Sequence, residues 1–265
     1  MSKLVIDGVA RTFPGVRGGA PTEALRPTSL KVGDNDFITI LGPSGCGKST
    51  LLRIVAGLDN PSRGQVLLDG MPVTGPGADR GMVFQSYTLF PWLTVRENVC
   101  FGLRERGMTP ARQDEIARHW LDKVALAGFE HHYPKMLSGG MQQRTAIARA
   151  LANEPKILLL DEPFGALDNQ TRSLMQELLL SIWESEQKTV LFVTHDIEEA
   201  IFMASRVMVM SARPGRIKAE VPVPIPHPRH YTVKTTPEFS ALKALLTEEI
   251  RVEALRATEP NRFAI

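Results

Sequence analysis

Apolar positions along the first half of the chain fall in short strand-like runs. Residues 3–7 and 27–41 carry that pattern, the second passing through "LKVGDNDFITIL" into a glycine-rich turn. Between them "FPGVRGGAPTE", rich in Gly and Pro, predicts a loop. From Lys48 the pattern turns helical in "STLLRIVAGL", with Gly57 as its C-cap. "GQVLLDG" and "RGMVFQ" read as two further short strands. From about Thr94 to Leu151 the pattern is mostly helical, and Ile116, Trp120, Val124 and Leu126 recur at mixed three- and four-residue steps. "KILLLDE" after Pro155 predicts a strand buried on both faces. "NQTRSLMQELLLSIWESE" predicts a helix with Leu174, Leu178 and Ile182 on its apolar stripe. "TVLFVTHD" and "RVMVMSA" are buried strands separated by the helical "IEEAIFMA". The alternation predicts an α/β fold with a parallel sheet over residues 1–220 and a helical insertion at about 94–151. Residues 221–265 form a short C-terminal extension, extended through "VPVPIPHPRH" and then helical, expected to pack on its own core.

Composition narrows the class. The 265 residues are 43% hydrophobic and 23% charged, ordinary for a globular protein, so general disorder is excluded. A formal charge of +2 without a long basic run gives no sign of a nucleic-acid partner. No apolar run approaches the length that spans a bilayer, and the start lacks the apolar stretch of a secretory signal. Cys46 and Cys100 stand far apart without metal-ligand spacing, as suits a reducing cytosol.

The chemistry is concentrated in a few motifs. "GPSGCGKST", Gly42 to Thr50, lies between a strand and a helix as a phosphate-binding P-loop must. Gly42, Gly45 and Gly47 let backbone N–H groups wrap phosphate oxygens, Lys48 would reach the β- and γ-phosphates, and Ser49 would ligate Mg²⁺. In "ILLLDEP" a buried strand ends in Asp161, placed to serve the metal through water, and Glu162 follows as the general base for the attacking water. His195, after another buried strand, would contact the γ-phosphate and fix the water. Gln85 would reach Mg²⁺ or the attacking water through its amide. The start "LSGGM", Leu137 to Met141, is a second helix opening suited to an anion.

In this order the motifs resemble the ATP-binding subunit of ABC transporters across residues 1–215. They match Walker A ("GPSGCGKST"), the Q-loop ("VFQ"), the signature ("LSGGM"), Walker B ("ILLLDE"), the D-loop ("GALD") and the H-loop ("VTHD"). The resemblance implies a P-loop NTPase core of the ABC type with an N-terminal antiparallel β subdomain and a helical subdomain. It implies a second copy of the chain packed head to tail. Each ATP, with Mg²⁺, would be held by Gly42, Pro43, Ser44, Gly45, Cys46, Gly47, Lys48, Ser49 and Thr50 of one copy. Ser138, Gly139, Gly140 and Asp168 of the other would complete the site in trans. Phe13 is the candidate for stacking on adenine, where the family commonly has Tyr. Met141 stands where the signature commonly has Gln; backbone N–H groups and Ser138 are expected to do most of the phosphate work.

"GPGADRGMVFQSYTLFPWLTVRENVCFGL", "EPFGALDNQTR" and "MSARPGRI" look like the nitrate/sulfonate/taurine importer group, where Met at that signature position is familiar. Such a subunit sits peripherally on the cytoplasmic face of the membrane. It would dock an integral-membrane permease through residues 86–98 and be served by a solute-binding protein through that permease. Two other classes stay open on sequence. A soluble ABC ATPase of DNA repair or translation would commonly carry two cassettes or long insertions. A small-molecule P-loop kinase would not need the signature.

Overall fold

The computed structural model describes residues 2–15 and 19–258. They form two compact units, one from the chain up to Gly77 together with Thr189 onward, the other Ala78–Lys188.

In the first unit β1 (Ser2–Phe13), β2 (Thr22–Gly33), β4 (Arg63–Leu68) and β5 (Met71–Pro72) make an antiparallel sheet in the order β2-β1-β4-β5. β1 runs well beyond the expected 3–7 because it is paired on both sides, to β2 as far as Phe13↔Thr22 and to β4 as far as Ala10↔Arg63. Its inward residues Leu4, Ile6 and Val9 are buried. The expected strand 27–41 is two strands, β2 and β3 (Phe37–Leu41). Asn35 takes a left-handed φ of 60°, and the Gly33 N–H donates to the Asp36 carboxylate at 2.7 Å. The Gly-Asp-Asn-Asp sequence thus turns the chain where apolar pattern alone reads through.

β3 lies between β8 (Thr189–Thr194) and β9 (Arg206–Met210), parallel to both, and β10 (Ile217–Pro222) returns antiparallel along β9. Every residue of β3 and β8 is buried, which accounts for sequences that are apolar except at Thr39, Thr189 and Thr194. α1 (Lys48–Val55) follows β3 and α6 (Ile197–Met203) follows β8. The C-terminal stretch ends in α7 (Pro237–Thr258), whose Phe239 and Leu246 are buried. Buried Arg229 donates to the carbonyls of Ile201, Phe202 and Ala204 at 2.8–2.9 Å, satisfying the open end of α6.

In the second unit β6 (Arg80–Val83) is parallel to β7 (Ile157–Asp161), in register from Arg80↔Ile157 to Val83↔Leu160. The expected strand through Gln85 stops at Val83. The helical region resolves into α2 (Val95–Glu105), α3 (Pro110–Lys123) and α4 (Gly139–Ala152), and α5 (Asn169–Glu186) follows β7. α2 begins with a capping box between Thr94 and Glu97. On α5 the buried apolar residues are Met175, Leu179, Leu180 and Ile182, and Leu174 is 63% exposed. Apolar residues at 174, 175, 178, 179, 180 and 182 define two overlapping stripes, so neighbouring elements decide which one faces inward. Among the described residues, no helix is long and apolar enough to cross a membrane.

Candidate nucleotide site

The first unit carries the phosphate loop and the H-loop histidine on one sheet edge. β3 and β8 are in register to Leu41↔Thr194, so Gly42 and His195 leave adjacent strands at the same end. The loop ends at Gly47, φ 100°, the N-cap of α1. A side chain there would be strained, and its Cβ would lie 2.7 Å from Leu25 Cδ2. Glycine brings no capping oxygen, and the first turn of α1 has no acidic residue. A helix start of this kind, with neither a capping side chain nor an acidic first turn, is suited to an external anion. Lys48 is only 4% exposed. Its Nζ donates to the Gly42 carbonyl at 2.8 Å and the Pro43 carbonyl at 3.1 Å, which folds the ammonium back over the loop. Ser44, Gly45 and Ser49 are exposed, Pro43, Gly47 and Thr50 are half-buried, and Gly42 and Cys46 are buried. His195 is exposed, and Asp196 beside it caps α6 by accepting from the Glu199 N–H at 3.0 Å.

Phe13 ends β1, half-buried, with the Arg11 guanidinium 4.6 Å from its ring centroid. Arg11 is itself held by Asp59 at 2.8 Å and by the Asn60 carbonyl at 2.7 Å. A cation thus lies over the ring expected to meet adenine.

The second unit gathers the carboxylates, Gln85 and the signature. Asp161 ends β7, half-buried, and Glu162 follows with φ 45°. A left-handed glutamate is an uncommon, strained conformation of the kind that clusters at functional sites. The Glu162 carbonyl accepts from the Gly165 N–H at 3.2 Å, and the amide nitrogen of Gln85 lies 4.0 Å from where a Cβ on Gly165 would fall. Gln85 and the turn after β7 are therefore neighbours.

Ser138 caps α4, its hydroxyl accepting from the Met141 N–H at 3.3 Å, and no acidic residue occupies the first turn. Ser138 is exposed, Gly139 half-buried and Gly140 buried. The Tyr87 hydroxyl lies 2.9 Å from where a Cβ on Gly139 would fall, so the segment after Gln85 abuts the signature. Exposed Asp168 caps α5 through the N–H groups of Gln170 at 3.1 Å and Thr171 at 3.0 Å. The Thr171 bonds, with that of Gln170, hold its pKa below the ordinary aspartate value.

Two residues of this unit escape sequence reasoning. Asn98 is completely buried, accepts from the Phe90 N–H at 2.9 Å, and donates to the carbonyls of Phe90, Leu93 and Thr94 at 3.0–3.2 Å. It fixes the loop that presents Trp92, 70% exposed and 5.7 Å from Phe90 between ring centroids. A polar residue on the buried Val95–Val99–Leu103 stripe of α2 was its signal. Arg149 donates to the carbonyls of Thr88 at 2.8 Å and Tyr87 at 3.3 Å, with no comparable pattern to mark it.

The family described as ABC transporter matches residues 25–165. The chain is 47% identical over 262 residues to the nitrate import ATP-binding protein of Synechocystis sp., spanning 97% of this chain and 98% of that one. It is 45% identical over 244 residues to an aliphatic sulfonates import ATP-binding protein of Bacillus cereus, spanning 92% and 94%. A dimeric ATP-binding cassette solved in a post-hydrolysis state with ADP and Pi aligns with a TM-score of 0.73 at 35% identity, covering 83% of this chain and 98% of that one.

Proposed function

We propose, for a chain that belongs to the ABC transporter family as one of its ATP-hydrolysing subunits, that two copies close head to tail around ATP and drive an importer. The observation that carries this is the pair of unlike anion-ready helix starts, at Gly47 and at Ser138. One chain then has two phosphate-binding ends, and a pair of chains uses both on each nucleotide.

In this scheme the loop from Gly42 to Thr50 holds the triphosphate and Lys48 neutralises its β- and γ-oxygens. Glu162 accepts a proton from the attacking water, and Gln85 and His195 orient that water. The partner copy offers Ser138, Gly139 and Gly140 to the γ-phosphate, with Asp168 at the same interface. The Ser49 hydroxyl, the Gln85 amide oxygen and the Asp161 carboxylate are the hard oxygen donors that suit Mg²⁺. When bound, Mg²⁺ would supply charge neutralisation at the β- and γ-oxygens. Phe13, already beneath Arg11, would add an apolar face for adenine.

Exposed Trp92 with Phe90 behind it supports residues 86–98 as the surface that receives a permease. The subunit would then lie on the cytoplasmic face of the membrane, with a solute-binding protein served through the permease. The two import relatives favour an oxyanion solute such as nitrate or a sulfonate, taurine included.

Sedimentation of Glu162→Gln with MgATP tests the scheme. That variant keeps the shape of the side chain and loses the base, so it should bind ATP, turn over at least about 100-fold more slowly, and accumulate as a dimer. Wild-type turnover would remove Glu162 from its role, and an ATP-bound monomer at all concentrations would remove the head-to-tail dimer.

A further inference from the structure

We propose that Glu253, on α7, is a positioning residue for the phosphate loop, acting through the turn 211–216. The proposal rests on assigning residues 42–50 to ATP. Glu253 is 1% exposed, and a carboxylate so deep must be matched by donors and cations. One of its oxygens accepts from the Ala212 N–H at 2.9 Å. The other pairs with Lys218 at 3.1 Å and Arg256 at 2.8 Å. Lys218 is also bound to Glu249 at 2.8 Å, so α7 grips β10 and the turn before it together.

That turn is stiff. The Ser211 N–H donates to the Arg216 carbonyl at 2.9 Å, and the Arg216 N–H donates to the Ser211 hydroxyl at 3.1 Å. Its tip lies against the phosphate loop. Arg213 Nε donates to the Gly45 carbonyl at 3.2 Å. Gly215 comes so near the Cys46 carbonyl that a Cβ would fall 1.8 Å from that oxygen, so only glycine fits. The Gly215 N–H donates to the Ala24 carbonyl at 3.0 Å and its own carbonyl accepts from Arg26 at 2.9 Å, tying the tip to β2. Beside it Leu25 fills the space next to Gly47.

Three successive loop residues are thus backed by one wall. In a planar trans peptide the C=O and the following N–H point in opposite directions. Holding the Gly45 and Cys46 carbonyls toward Arg213 and Gly215 therefore turns the Cys46 and Gly47 N–H groups to the other side, where phosphate oxygens would sit. The Cys46 N–H meets the Pro43 carbonyl at 3.4 Å, a long contact that a phosphate oxygen can improve on. Glu253 sets the turn, the turn sets two carbonyls, and the carbonyls set two phosphate donors.

The test is ATP affinity and turnover of the full chain in Glu253→Ala, Glu253→Gln, Arg213→Ala and Arg213→Lys, with thermal unfolding alongside. Both alanine variants should raise the KM and Kd for ATP about fivefold while kcat stays within about twofold, the value of one lost hydrogen bond. Glu253→Gln, which still accepts from Ala212, and Arg213→Lys, which still donates, should recover most of the loss. A merely structural role would lower the unfolding temperature and leave KM unchanged. If Glu253→Ala does not fold, exposed Arg213→Ala decides alone. Wild-type affinity in the alanine variants overturns the proposal, provided Lys48→Ala has lost nucleotide binding. Wild-type affinity in Lys48→Ala would instead overturn the assignment of the loop itself.

Discussion

The two glycine-bearing helix starts differ in what completes them. At the phosphate loop the cap is a left-handed glycine without a side chain, and a buried ammonium is folded over the loop carbonyls. At the signature the cap is an ordinary extended serine, φ −66°, whose hydroxyl already accepts from Met141. In the proposed scheme the first site brings a full charge and a helix start with no side-chain cap, which suit it to the main hold on a triphosphate. The second brings a helix end and a partly occupied hydroxyl. Such a site has value mainly to a phosphate that something else already holds, which makes the asymmetry itself an argument for two chains per nucleotide.

Breaking the stronger half should give the largest effect. Lys48→Ala removes the one buried ammonium of the loop, and its affinity for ATP should fall at least about 100-fold, or about 2.7 kcal/mol. Titration with a fluorescent ATP analogue reads this directly, and a change below about threefold would overturn the assignment of residues 42–50 to ATP. Breaking the weaker half should separate binding from turnover. Gly139→Asp puts a carboxylate where a partner's γ-phosphate would sit and presses a Cβ against Tyr87. ATP affinity of the isolated chain should stay within about twofold, while turnover falls about 100-fold through like-charge repulsion. Equal losses in both would show that Gly139 only supports the fold.

The motifs of the site were legible because their chemistry is local. A strand, a glycine-rich turn and a helix-starting Lys48 are consecutive in the chain, and so are β7, Asp161 and Glu162. Strand and helix positions followed apolar periodicity wherever burial was simple, as in β3, β8 and β7. Periodicity failed at Gly33–Phe37, where turn chemistry outweighs apolar flanks, and on α5, where two stripes compete and packing chooses Met175 and Leu179 over Leu174. What escaped is what sequence distance hides. Arg213 meets Gly45 across 168 residues and Glu253 meets Ala212 across 41, and neither sits in a motif. Arg149 is one of two arginines on α4, with nothing in its neighbourhood to mark it until the fold brings it to Thr88.

The smallest predicted effect sharpens the comparison at a third helix start. Asp168 caps α5 through backbone N–H groups, as Ser138 caps α4, but it carries a charge and therefore responds to pH. Its pKa in the folded chain lies below the ordinary value of 3.8 because the charged form accepts those N–H bonds. A group depressed in this way stabilises the fold above its unfolded pKa and loses that contribution as pH falls through the folded value. Asp168→Asn keeps an accepting oxygen without the titration. Its unfolding midpoint should lie slightly below wild type at neutral pH, and the gap should close in acid, as thermal melts across pH would show. A pH-independent gap would mean that the carboxylate acts through shape alone. Ser138→Ala, lacking any titrating group, should show that constant gap, so the pair of variants separates the charged cap from the neutral one.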